Sequence, residues 1–298
     1  MLVGAYVCLA TLPRPQRAPD RPYFDAPHPW VVAHRGGSAL APENTMEAFR
    51  RAEALGVDVL EMDLHVTADG AFVVIHDSTV DRTTNGHGLV ADMTLAQLQA
   101  LDAGYRFRDD AGGYPFRGTG VTVPSFESVL RQFPHTRLNP EMKDFTVEQA
   151  RRLCGVLRQF DAVDRVLVSA FGQPPMTAFR AACPEVATGA TRREAILFYC
   201  LNQARLGRVF RSPAAAMQLP LRFHGRGVIT PALLEAARES NRPVQVWTVN
   251  DEEAMRRLLS MDVQGILTDR PSRLLALLGR ARRPTSGPAG ARAGSPRP

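Results

Sequence analysis

At 298 residues the chain could hold one large domain or two ordinary ones, and 45% hydrophobic residues supply a core and exclude disorder throughout. A net charge of +6 would suggest a nucleic-acid or anionic-membrane partner, but the excess sits in the tails: five arginines and no acid lie beyond Gly279, and three arginines face one aspartate between Pro13 and Pro22. The stretch between is close to neutral, so nucleic-acid binding by the folded part loses its main support.

Residues 1–12 are apolar and uncharged, and Pro13-Arg14-Pro15 ends the run. As a helix they would span about 18 Å, short of the roughly 30 Å hydrocarbon layer. The run lacks the positive start of a signal peptide, and Gly4-Ala5-Tyr6-Val7 before Cys8 makes no lipoprotein box. It is expected to be the downstream end of a membrane anchor that begins before Met1; the other reading is a loosely docked terminus. Membrane association outside the cytoplasm is the placement this implies, with a cytoplasmic enzyme as the alternative. Residues 13–29, rich in Pro and Arg, read as a linker.

A short buried strand is expected at 30–34, then an amphipathic helix over 42–56 with Met46, Phe49, Ala52 and Leu55 on one face and Gly56 as its C-cap. Residues 57–66 read as the second strand. Thr67-Ala68-Asp69-Gly70 is a turn signal, and 71–76 returns as an antiparallel strand that brings His76 back toward the end of the sheet. Residues 78–123 differ in texture, with glycine-rich and polar loops, one short helix near 95–101, and the aromatics Tyr105, Phe107 and Phe116. After it strand and helix alternate, with strands at 138–143, 166–170, 187–190, 215–219, 244–249 and 265–268. Eight core strands with helices between them predict an α/β fold, a (β/α)8 barrel over residues 30–279. Residues 280–298 read as a disordered basic tail.

The four cysteines (Cys8, Cys154, Cys183, Cys200) show no paired spacing and are expected to be buried or incidental, forming neither a disulfide nor a zinc framework.

Side chains alternate faces along a strand, so Glu61 and Asp63 share one face while Leu60, Met62 and Leu64 take the other. Two carboxylates at a strand end repel unless a cation joins them, and oxygen-only ligation suits Mg²⁺ or Ca²⁺. Glu141 and Lys143 share a face for the same reason. Lys143 is the single lysine among 36 basic residues, which suggests that a compact point charge is needed there. His34 and Arg35 end the first strand and His76 the hairpin, so charged and titratable groups converge on the C-terminal ends of several strands, the edge where barrel enzymes place their chemistry.

His34-Arg35-Gly36-Gly37, Glu43-Asn44-Thr45, Glu61-x-Asp63, His76-Asp77, Pro124-Ser125-Phe126-Glu127, Glu141-x-Lys143, Trp247-Thr248-Val249-Asn250 and Thr268-Asp269-Arg270-Pro271 together resemble the glycerophosphodiester phosphodiesterase family. The resemblance runs from about Val31 to Leu278. It implies a TIM barrel of the phosphatidylinositol-phosphodiesterase-like type, with residues 78–123 as an insertion after the second strand beside the active site. It also implies that Glu61, Asp63 and Glu141 hold one divalent cation, that Arg35 and Lys143 bind phosphate oxygens, and that His34 and His76 form the acid/base pair; which of the two is acid and which base stays open, with His34 preferred as the base. Trp247 would pack against the glycerol part of the substrate. The implied reaction is metal-dependent hydrolysis of glycerophosphodiesters to glycerol 3-phosphate and an alcohol.

The nearest alternative is a lysophospholipase D acting on lysophospholipids; an open apolar groove beside the metal would favour it, a small polar pocket the deacylated diester. An inactive binding module would require a lost ligand or acid/base residue, and none of these positions is missing. Of the other histidines, His65 is expected at the rim or in solvent, His87 in the insertion loop with lining of the mouth as the lesser reading, and His28, His135 and His224 in the linker or on the surface.

Overall fold

Trp30-Val31-Val32-Ala33 forms the first strand, β1 (Trp30–Ala33), and all four residues are buried. Unbroken burial is what a parallel strand covered on both faces requires. In the computed structural model, which describes residues 15–280, β1 pairs in parallel with β2 (Val59–Val66) and with the last strand, β11 (Gly265–Thr268). Beyond β2 lie β4 (Arg137–Met142), β5 (Leu167–Ala170) and β6 (Ala187–Thr188); beyond β11 lie β10 (Val244–Trp247) and β7 (Met217–Pro220). Thr188 O accepts from Ala215 N at 2.8 Å, and Ala190 N donates to Ala216 O at 3.0 Å, which joins β6 to β7 and closes the ring. The eight-strand barrel expected from the sequence is therefore present, with β3 (Phe72–Val74) as an antiparallel arm on β2. A small hairpin that the sequence reading did not include, β8 (Arg222–Phe223) and β9 (Arg226–Gly227), stands at the mouth side of β7.

The helices carry local signals in their first turns. Thr45 caps α1 (Met46–Leu55), which ends on left-handed Gly56. The short insertion helix α2 (Leu95–Gln99) has a capping box, and Ser125 caps α3 (Phe126–Gln132). Capping boxes also start α4 (Val147–Gln159) and α6 (Arg192–Gln203), while prolines occupy the first turn of α5 (Gln173–Ala182), α7 (Pro231–Glu239) and α9 (Pro271–Leu277). Asp251 caps α8 (Glu252–Ser260). These helices cover the outward face of the sheet: Leu60, Met62 and Leu64 pack among Phe49, Phe126 and Leu153, and Val31, Val246 and Ile266 among Phe198, Leu234 and Met255.

The opposite face fills the barrel. Trp30, Val32, Val59, Leu167 and Leu267 form its lower layer, plugged by Tyr23. Above them lies a polar layer whose members bond to one another and to the strand backbone: Asn139 Nδ2 donates to Leu167 O at 2.8 Å, and Gln218 Nε2 donates to Gln245 Oε1 at 2.9 Å, while the buried Nε2 of Gln245 finds no well-aligned acceptor. Residues 15–29, expected as a linker, are in large part docked on the barrel. Tyr23 is buried, Arg137 Nε donates to its carbonyl, and the buried guanidinium of Arg242 donates to the carbonyls of Gln16, Ser212, Ala214 and Ser240. Arg280 also belongs to the folded body, paired with Asp58 at 2.8 Å.

Cys154 and Cys183 form a disulfide between α4 and the end of α5, against the expectation of unpaired cysteines; 29 residues separate them in sequence, and only packing of adjacent helices brings them together. Among the described residues no helix is long and apolar enough to cross a membrane. The apolar run at 1–12 and nearly all of the basic tail lie outside the described residues.

Candidate active site

The chain leaves β1 through a turn in which Arg35 adopts φ 53 and Gly36 φ 80. A Cβ at Gly36 would lie 2.8 Å from the Cβ of Ala48, so the turn can sit this close to α1 only with glycine there. Its backbone points at the carboxylates. Arg35 N donates to Glu61 Oε2 at 2.6 Å, while the guanidinium donates to Glu43 Oε1 at 2.9 Å and lies 3.4 Å from Asp63 Oδ2.

Alternation along β2 and β4 does the rest. Asp63 is in register with Glu141, and Glu61 with Asn139, one layer deeper. Oxygens of Glu61, Asp63 and Glu141 lie within 4.8 Å of one another. Asp63 is the most satisfied of the three. Asn44 Nδ2 donates to it at 2.8 Å, Asn44 Oδ1 accepts from its backbone N at 3.2 Å, and the Lys143 ammonium lies 2.9 Å from Asp63 Oδ1 and 2.9 Å from Glu141 Oε1. Burial would raise the Asp63 pKa, but Lys143 and Arg35 outweigh it and hold the group below the usual carboxylate range. Glu61 goes the other way: burial, with the charge of Asp63 beside it, pushes it up to about 8. Burial likewise raises Glu141 despite Lys143. Glu141 Oε1 is buried without a well-aligned hydrogen bond. Two carboxylates driven toward protonation and one poorly satisfied oxygen make a donor set short of positive charge, and three convergent oxygen ligands suit one hard divalent cation.

Both histidines at the cleft are held through Nδ1. That of His34 lies 2.7 Å from Asp269 Oδ1, and that of His76 2.6 Å from Asp77 Oδ1. A carboxylate on Nδ1 fixes the tautomer and leaves Nε2 free for proton transfer. Asp269 also accepts from Ser38 Oγ at 2.7 Å and from Asn250 Nδ2. Burial lowers the His34 pKa, but Glu61 and Asp269 outweigh it, so the imidazole stays above its ordinary value. His76 follows the end of β3 rather than lying in a strand that reaches it; Ile75 N donates to Asp63 O at 3.0 Å and ties this segment to β2. His65 is buried, not at the rim, and its Nε2 donates to the His76 carbonyl at 3.0 Å. Burial lowers its pKa, which keeps it a neutral support for the His76 loop.

His34, Arg35, Glu61, Asp63, His76, Glu141, Lys143 and Trp247, all singled out in the sequence, line one cleft of about 170 Å³ at the C-terminal ends of the strands. His87 is exposed, sits 3.1 Å from Asp81 and does not line it. The sequence reading gave no role to Arg82, Asn44 or Glu43. Arg82 bridges Asp77 and Glu43 at 2.6–2.9 Å, and so links the support of His76 to that of Arg35. Glu43-Asn44-Thr45 carried a signal as a motif; Arg82 carried none.

A family model described as the glycerophosphoryl diester phosphodiesterase family matches residues 34–273. A glycerophosphodiester phosphodiesterase of Caldanaerobacter subterraneus subsp. tengcongensis is 33% identical over 253 residues, 83% of this chain and 97% of the relative. A crystal structure of a glycerophosphodiester phosphodiesterase from Agrobacterium tumefaciens superposes with a TM-score of 0.65 at 28% identity, covering 82% of this chain and 98% of the other. An Oleispira antarctica phosphodiesterase, solved in complex with its product sn-glycerol-3-phosphate, has the same fold, with a TM-score of 0.69 at 24% identity over 84% of this chain and 97% of that one. With a matching family model over most of the barrel and a relative this similar over nearly its whole length, the chain belongs to the glycerophosphoryl diester phosphodiesterase family.

Proposed function

We propose that this protein hydrolyses glycerophosphodiesters to glycerol 3-phosphate and an alcohol, with one divalent cation, Mg²⁺ or Ca²⁺, held by Glu61, Asp63 and Glu141. The observation that carries this reading is the convergence, in one cleft, of three carboxylates, two cationic side chains and two carboxylate-held imidazoles. A bound cation would polarise a phosphoryl oxygen and offset the charge that grows there. Arg35 and Lys143, already anchored by Glu43, Asp63 and Glu141, would take the other non-bridging oxygen without reorganising. His34 accepts the proton of the nucleophile at Nε2, and Asp269 stabilises the imidazolium that results. His76 gives a proton to the leaving alkoxide, and Asp77 holds its ring in place. Trp247 offers an apolar wall for the glycerol carbons.

The membrane-associated, extracytoplasmic placement is part of the same proposal; the Cys154–Cys183 bridge supports it, because such bonds persist in oxidising compartments.

The test is choline release from glycerophosphocholine with Mg²⁺, with Ca²⁺ and with chelator, beside Glu61→Ala. Turnover is expected to need metal and to fall by about a hundredfold or more in the variant. Chelator-insensitive turnover, or an unaffected variant, would overturn the assigned ligand set.

A further inference from the structure

The catalytic cleft does not end at Trp247. A second, larger cavity of about 460 Å³ adjoins it and shares four of its walls: Phe171, Ala190, Gln218 and Trp247. Its own lining is apolar and aromatic. Ala195, Ile196 and Tyr199 come from α6, Leu219 from β7, Phe223 from the β8–β9 hairpin and Val228 from the segment after it. The charged residues among its lining are Arg192 and Arg222, both exposed, and no carboxylate borders it. Phe171 is 52% exposed and meets Trp247 edge to face at 5.9 Å, so this aromatic pair stands on the boundary between the polar cleft and the apolar groove. Lys143 Nζ lies 5.9 Å from the ring of the same Phe171, which puts the groove's entrance within one side chain of the phosphate-binding group.

A deacylated diester has no alkyl chain to fill this surface; a choline head group offers only a trimethylammonium, which would meet the aromatic rings but not the aliphatic wall of Ile196, Leu219 and Val228. Glycerol is small and polar, and choline is a compact quaternary ammonium ion. Ile196 and Phe171 stand open to water on a wall continuous with the other apolar lining, and an apolar group bound there would cover them. The shared wall selects which part of the substrate that is: with the glycerol carbons against Trp247, a chain esterified to the glycerol leaves the cleft past Trp247 and Phe171. We propose that the groove binds the acyl chain of a monoacyl glycerophosphodiester, so that lysophospholipids are substrates and are selected by their chain. This rests on the phosphodiesterase reading and names a substrate class for the same site. The chemistry is unchanged. Water attacks phosphorus, the bond from phosphorus to the head-group oxygen breaks, that oxygen takes a proton, and the products are a monoacylglycerol phosphate and the free head-group alcohol.

Three measurements test it, each on the full chain with metal present. The first compares glycerophosphocholine with lysophosphatidylcholines of butanoyl to decanoyl chains, all kept below micelle formation. Each methylene that enters the groove is worth about 0.8 kcal/mol, so kcat/KM should rise roughly fourfold per methylene until the groove is filled. The second uses Ala195→Trp, which fills the groove, and Ile196→Asp, which puts a charge in it; neither touches the catalytic cleft. Both should lose at least about tenfold on the decanoyl substrate and leave glycerophosphocholine turnover within twofold. The third uses glycerophosphoalkyl diesters, with the chain on the leaving alcohol, which should show no such rise.

A flat chain-length series with normal glycerophosphocholine turnover would overturn the proposal and leave the phosphodiesterase reading intact. Equal losses on both substrates in the groove variants would also overturn it. A rise with the alkyl leaving group instead would place the other arm of the diester in the groove and refute the assignment to the acyl chain. Turnover of neither class would count against the phosphodiesterase reading itself.

Discussion

Asp269 is the side chain on which the proton chemistry of this site depends most, and its charge state can be followed. Burial would raise its pKa, but hydrogen bonds from His34, Ser38 and Asn250 outweigh that and hold it at about 2. The folded value lies below the roughly 3.9 of an unfolded aspartate, so the stability it contributes, about 2 kcal/mol, is complete above about pH 4 and lost as pH falls through about 2. Its effect on His34 works in the opposite sense, since a negative partner raises an imidazole. In Asp269→Asn the His34 pKa should therefore fall. With His34 as the base, the acid limb of the kcat/KM profile moves to lower pH while kcat drops, because the ring has lost its orienting partner. Movement of the alkaline limb instead would exchange the roles of His34 and His76. Much of this site is legible at the residue scale, because strand alternation alone brings Glu61 beside Asp63 and Glu141 beside Lys143. Asp269 belonged to a recognisable tetrapeptide but its partner could not be read, since 235 residues separate it from His34. Arg82 was invisible: an arginine in a polar loop has no pattern that says it will bridge two carboxylates.

Elements were legible where local signals and burial agree, and less so where a segment's role is set by what it docks on. Four-residue apolar strands and capped helices followed their patterns. The β8–β9 hairpin did not, because Arg222 and Arg226 give it no apolar alternation, and the docked residues 15–29 have the composition of a linker but are held through backbone carbonyls by Arg137 and Arg242. One helix joins local and functional roles. In α6 the Thr191 hydroxyl accepts from Glu194 N, and Glu194 in turn accepts from Thr191 N at 2.8 Å and from Arg180 at 2.8 Å. Thr191 is fully buried, whereas the equivalent box at Thr94 opens a five-residue helix in the insertion. Thr191→Ala should destabilise by about 1–2 kcal/mol and Thr94→Ala by less than about 1 kcal/mol. Thermal melts would register the first as a fall of several degrees; equal small shifts would mean that the α6 cap is redundant with the Arg180–Glu194 pair.

At the scale of the whole molecule the barrel has two unequal supports on its outside. The half built from β1 to β6 packs one large cluster of buried residues beneath α1, α3, α4 and α5, and the Cys154–Cys183 bridge crosses that half. No spacing in the sequence announces the bridge: the two cysteines lie in separate helical patterns, and only the packing of α4 on α5 makes them neighbours. Closing a loop between positions 29 apart in sequence removes freedom from the unfolded chain worth about 3–4 kcal/mol in the chain-entropy account. Neither cysteine lines the cleft, so the bridge should act on stability without touching turnover. Reduction, or the paired change Cys154→Ser with Cys183→Ser, is expected to lower the melting temperature by on the order of 10 °C while kcat/KM for glycerophosphocholine at 25 °C stays within twofold. The exposed Cys200 makes the control necessary: Cys200→Ser alone should change neither quantity. An unchanged melting temperature after full reduction would mean that α4 and α5 are held by their apolar contacts alone. Loss of activity at constant stability would mean that the bridge positions β4 or β5, and with it Glu141, Lys143 and Phe171 at their mouths.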